Sequence, residues 1–164
     1  MSKKLRRLVM AALLAALTAA LTMVHIVQLP NGGFVHLGDL FVYLAGCLLP
    51  TPYAMAAAAI GGGLGDLLSG APAYVLPTVM VKACIALCFS AKKEKILCPR
   101  NALALLPAAA LTMGGYFLAD RVISSSWRAA LLSLPLNLLQ AACSAALFAL
   151  LGFAMDRAGV KRRV

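Results

Sequence analysis

Apolar runs separated by short polar, glycine- or proline-bearing breaks fill most of the chain. Six can be drawn: Leu8–Val27, Leu37–Leu49, Tyr53–Leu68, Tyr74–Ser90, Ala102–Ala119 and Ala129–Met155. Crossing about 30 Å of hydrocarbon takes roughly 20 helical residues. Five of the runs approach or exceed that length; Leu37–Leu49 is too short unless the loop before it enters the bilayer. The pattern predicts an all-α integral membrane protein of the cell membrane, crossing it many times. It is a six-transmembrane-helix bundle, with residues 1–164 forming one domain.

Polar residues interrupt these runs at helical spacing. The tetrapeptide Leu37-Gly38-Asp39-Leu40 returns as Leu64-Gly65-Asp66-Leu67, on either side of a turn at Pro50-Thr51-Pro52. At 1.5 Å rise per residue, Asp39 and Asp66 lie about 17 and 21 Å from that turn, at one membrane face. Tyr43 follows Asp39 by four residues. Tyr74, Thr78 and Lys82 repeat at intervals of four, and Ser133, Asn137, Gln140 and Ser144 at four, three and four. Facing lipid, their donors and acceptors would go unsatisfied at several kcal/mol each, so these stripes are expected to converge inside the bundle.

Composition strengthens the membrane assignment, with 63% hydrophobic and 12% charged residues against about 25% charged in a soluble domain. The net charge of +10 would suggest nucleic acid in a soluble protein, but its distribution gives it another meaning. With the N-terminus inside, twelve lysines and arginines fall on one side: Lys3, Lys4, Arg6, Arg7, Lys92, Lys93, Lys95, Arg100, Arg157, Lys161, Arg162 and Arg163. Only Arg121 and Arg128 fall on the other. The positive-inside rule then puts both termini in the cytoplasm and both aspartates toward the exterior, with no nucleic-acid partner. Met1 to Arg7 followed by an apolar run imitates a signal peptide, but about 20 apolar residues exceed the usual 7–15, so a retained first helix is expected.

Lys82 falls near mid-bilayer, and a charged lysine there needs a counter-ion, which Asp39 or Asp66 can supply. Two roles are open to it: a fixed clamp between helices, or a contact with a solute. Asn137 and Gln140 either bond helix to helix or line a pocket. His36 precedes Asp39 by three, but two ligands without a third make no metal site. The uncharged loop Gln28–Val35 suits a cover over such a pocket. Ala11, Ala15 and Ala19 form a small-x-x-x-small stripe that serves close packing, inside the bundle or against a separate subunit. Gly61-Gly62-Gly63 suits close internal packing. No G-x-x-x-x-G-K-[ST] occurs in the sequence, and neither a nucleophile elbow nor H-E-x-x-H supports an enzyme.

Four stretches together carry a resemblance: Gly33-Phe34-Val35-His36-Leu37-Gly38-Asp39, Gly65-Asp66-Leu67-Leu68-Ser69-Gly70, Pro77-Thr78-Val79-Met80-Val81-Lys82 and Pro135-Leu136-Asn137-Leu138-Leu139-Gln140. The chain resembles the S component, the substrate-binding membrane subunit, of energy-coupling factor (ECF) transporters. The branch it resembles is the riboflavin type, which also takes in hydroxymethylpyrimidine and pyridoxine proteins. The resemblance implies capture of a small vitamin or precursor from outside, with no cofactor and no catalysis. It implies partners too: a transmembrane T component and two ATPase subunits, with the stripe Ala11, Ala15 and Ala19 as the docking surface. The substrate site expected on this basis comprises His36, Asp39, Tyr43, Asp66, Tyr74, Thr78, Lys82, Asn137 and Gln140. A solitary transporter driven by an ion gradient, with Lys82 and the aspartates as a proton relay, is the alternative.

Overall fold

A computed structural model describes residues 2–28 and 33–163. The described chain is mostly helical. In chain order it runs α1 (Lys3–Thr22), β1 (Val27–Gln28), β2 (Phe34–Val35), α2 (Asp39–Leu48), α3 (Thr51–Leu68), α4 (Val75–Cys88), α5 (Pro99–Leu103), α6 (Leu105–Ser124), α7 (Trp127–Arg157) and α8 (Val160–Arg163). Among the described residues three stretches are long and apolar enough to cross a membrane: Lys3–Thr22, Pro99–Ser124 and Trp127–Arg157.

The first helix starts five residues before its apolar run. The Ser2 hydroxyl caps it by accepting the Leu5 N–H at 3.2 Å, and lysine and arginine are good helix formers. It also stops early. Val27 and Gln28 pair antiparallel with Val35 and Phe34, so this end of the apolar run is a hairpin and not the last turn of a helix. The middle of the expected cover, Leu29-Pro30-Asn31-Gly32, lies outside the described residues.

The short α2 has a physical explanation. It is buried along nearly its whole length, packed among α1, α3, α4 and α7. A helix with protein on every side has no lipid to match in thickness. The irregular backbone above it, with Val35 and His36 also buried, is tolerated because it lies inside protein.

Close approach of α1 and α3 depends on glycine. A Cβ on Gly61 would stand 2.6 Å from the Ala15 carbonyl oxygen, and one on Gly65 2.6 Å from the Thr22 side chain. The stripe expected to dock a partner, Ala11, Ala15 and Ala19, lies along this contact. Ala15 and Ala19 are buried and Ala11 is half-buried on the α3-facing side, whereas Ala12, Ala16 and Ala20, one position along, are exposed. The spacing was legible, but the choice between two interleaved alanine stripes depended on where the glycines of α3 fall.

Tyr43, one of the expected substrate-site residues, lies in the apolar core. Its ring stacks on Phe89 with centroids 5.0 Å apart and meets Phe148 edge-on at 5.8 Å. One turn beyond Asp39 its side chain is already below the polar layer, where aromatic contacts are the available partners.

The basic segments share one end of the bundle. A groove there is lined by Arg6, Arg7, Lys92 and the α2–α3 turn. Nearby, the Asp156 carboxylate accepts the Ile96 and Leu97 N–H groups at 2.8 and 2.9 Å, fastening the α4–α5 connection to α7.

Candidate functional site

At the opposite end, helices α3, α6 and α7 and the turn before α4 open into a cleft beneath the hairpin. Its walls are Gly33, Phe34 and His36 from the hairpin side, Asp66, Tyr74, Tyr116, Asp120, Asn137 and Gln140. The space between these walls is about 360 Å³, open solvent at the mouth included. Of the nine expected site residues, His36, Asp66, Tyr74, Asn137 and Gln140 line it directly.

Asp39, Thr78 and Lys82 form the layer beneath. Asp39 on α2 and Lys82 on α4 make a salt bridge with both side chains fully buried, which identifies Asp39, not Asp66, as the lysine's counter-ion. The lysine stem passes Gly62, where a Cβ would come within 2.9 Å of it and of Thr78. Its ammonium also lies 5.2 Å from the centre of the Tyr116 ring, a cation–π distance. The second Asp39 oxygen accepts from Gln140 Nε2 at 3.1 Å. Gln140 Oε1 in turn accepts the His36 backbone N–H at 3.1 Å. One glutamine on α7 therefore joins the buried ion pair to the backbone that supports the hairpin.

His36 Nδ1 accepts the Gly38 N–H at 3.0 Å, which requires that nitrogen to be unprotonated. His36 stands in the connection between β2 and α2. Burial, followed by the Lys82 charge, lowers its pKa to about 3. Its ring also approaches Phe34, which stacks on His25 at 3.8 Å between centroids. These aromatic groups tie the hairpin to the mouth of the cleft.

Two wall residues were missed in the sequence. Tyr116 and Asp120 lie on α6, where Thr112, Tyr116 and Asp120 repeat at intervals of four and are all buried. That periodicity is the same signal that marked α4 and α7. The Asp120 carboxylate accepts the Tyr74 hydroxyl at 2.6 Å, and the Tyr116 and Thr78 hydroxyls share a 3.1 Å hydrogen bond. These hydrogen bonds fix α6 against α4 and against the turn that precedes it.

Not every buried polar atom in this wall is satisfied. Asp66 Oδ2 and Asn137 Nδ2 have no hydrogen-bond partner among the described residues. Native proteins rarely leave such atoms unpaired, and an unpaired one in a cleft has the character of a ligand contact.

A family model described as ECF-type riboflavin transporter, S component, matches residues 2–157. The chain belongs to the S components of ECF transporters. An S component is a subunit of a membrane transporter and not an enzyme, in keeping with a polar cleft in an apolar helical bundle. No match was found among curated proteins.

Proposed function

We propose that this S component captures a small water-soluble vitamin or vitamin precursor in the cleft beneath the hairpin. It then delivers the ligand for uptake driven by ATP hydrolysis on separate subunits. The observation that supports this most directly is the pair of buried, unpartnered atoms on Asp66 and Asn137, set in a wall of aromatic rings and hydrogen-bonding side chains. A cleft that combines ring faces with a few fixed polar groups suits a polar heteroaromatic better than a bare ion or a lipid.

The orientation supported by the charge distribution has both termini and the basic end in the cytoplasm, so the cleft opens outside. The partners are a transmembrane T component and two ATPase subunits. The exposed stripe Ala12, Ala16 and Ala20 on α1 is the surface available for close helix docking. Asp39 and Lys82 serve the site from below: their paired charges hold α2 to α4 and, through Gln140, position the hairpin.

Native mass spectrometry of the chain, extracted in mild detergent, tests the first half of this reading. A bound molecule with the mass of a vitamin or precursor is the expected result. Uptake in cells with and without a co-expressed T component and ATPase pair tests the second half. Uptake by the chain alone that is abolished by dissipating the ion gradient would overturn the ATP-driven reading in favour of a solitary transporter.

A further inference from the structure

The cleft is acidic. Asp66 contributes to its wall from α3 and Asp120 from α6. No lysine or arginine lines it among the described residues, and the Lys82 charge is taken up by Asp39. Leu29-Pro30-Asn31-Gly32, outside the described residues, contains no charged residue. His36 brings no positive charge, because Nδ1 is occupied as an acceptor.

Independent of that acidity, one acceptor and one donor are buried without partners. The acceptor, Asp66 Oδ2, belongs to a residue only 4% exposed, and the donor, Asn137 Nδ2, to one only 5% exposed. Asp120 differs, since Tyr74 already donates to one of its oxygens. A buried polar atom left unpaired is costly, so a ligand that completes both gains over one that cannot.

We infer that this cleft selects a small heteroaromatic bearing an amino group, and that Asp66, assisted by Asp120, is the specificity-determining residue. The ligand's N–H group donates to Asp66 Oδ2, and a ring nitrogen or hydroxyl accepts from Asn137. Phosphorylated and carboxylated relatives of the same ring are rejected, because they bring a like charge toward two carboxylates in a poorly solvated space. The inference rests on the cleft being the ligand site, as proposed above.

The test is calorimetric titration of the full chain in lipid nanodiscs with three ring-matched probes. These are pyridoxamine, with an ammonium group; pyridoxine, with a neutral hydroxymethyl in its place; and pyridoxal 5′-phosphate, which is anionic. A fourth probe, 4-amino-5-hydroxymethyl-2-methylpyrimidine, presents a ring amine without the pyridine scaffold. At least one amine-bearing probe is expected to bind about tenfold or more tighter than pyridoxine, with no detectable binding of the phosphate. Asp66→Asn should shrink the preference for that probe to about twofold, by weakening its binding more than that of pyridoxine. Should that variant fail to fold, Asp120→Asn serves, with a smaller loss of preference.

Equal or tighter binding of pyridoxine or the phosphate overturns the inference and leaves the transport reading intact. So does an amine preference that survives both substitutions. If no probe binds but a small molecule co-purifies, that molecule decides: an amino group on the ring or its substituents supports the inference, and an anionic ligand or one without an amino group overturns it. A chain that binds no probe and carries no small molecule overturns both readings.

Discussion

Asp39 on α2 and Lys82 on α4 pair at the centre of the bundle with neither side chain reaching solvent. Two buried charges in contact are worth little more than a matched apolar pair, but removing one of them leaves the other uncompensated. Lys82→Met and Asp39→Asn are each expected to lower stability by roughly 3–5 kcal/mol. The double variant should recover a large part of the loss. Thermal melting of all four proteins in one detergent closes the cycle. Strictly additive losses would show that the pair is not coupled and that each residue acts elsewhere.

Gln140 joins this pair to the hairpin through one donor and one acceptor. Gln140→Leu removes both while keeping a similar volume, and leaves an Asp39 oxygen and the His36 N–H unpaired at about 1–3 kcal/mol each. The expected outcome is faster hydrogen exchange over residues 33–38 and ligand affinity reduced by about tenfold or more, with the helices still protected. Unchanged exchange at His36 would mean that the hairpin is held by its aromatic contacts alone.

His36 makes stability depend on pH in a definite direction. Its pKa falls from 6.5 to about 3 on folding, so between those values the unfolded chain holds a proton that the folded one does not. Stability therefore rises with pH across this window and is lost as pH falls below about 6.5. The loss is at most about 1.4 kcal/mol per unit, or about 2 kcal/mol at pH 5. His36→Asn keeps an acceptor for the Gly38 N–H without a titrating group, and it should flatten the melting temperature between pH 7 and pH 5. A wild-type protein equally stable at both pH values would contradict the assignment.

Much of the bundle was legible because its strongest determinants are periodic. The apolar runs located six principal helices, and the stripes that run from Tyr74 into α4 and along α7 picked out Tyr74, Asn137 and Gln140, which meet in the cleft. What escaped was whatever depends on neighbours distant in sequence. Tyr43 sits at the same spacing from Asp39 as a pocket residue would, yet Phe89 and Phe148 draw it into the core. The pairing of Val27 with Val35 ended α1 early, against an apolar pattern that continued. Asp120 carries the same four-residue spacing as its neighbours, and only the Tyr74 hydroxyl opposite it shows that it faces inward.

The two alanine stripes of α1 give opposite expectations for the same substitution made one residue apart. Ala15 is buried, with its carbonyl oxygen 2.6 Å from where a Cβ on Gly61 would stand. Ala15→Leu must push α1 off α3, and overpacking of that kind costs about 1–3 kcal/mol or more. Ala16 is exposed, so Ala16→Leu should leave melting temperature and ligand binding as in wild type. A leucine there blocks the close approach that a small-residue helix face permits. Pull-down of a co-expressed T component and ATPase pair should accordingly fail with Ala16→Leu while its ligand affinity stays intact. With Ala15→Leu, a weakened pull-down should instead be accompanied by a lower melting temperature. Retention of the partners by Ala16→Leu, together with an Ala12→Leu variant that also retains them, would move the docking surface to another face of the bundle.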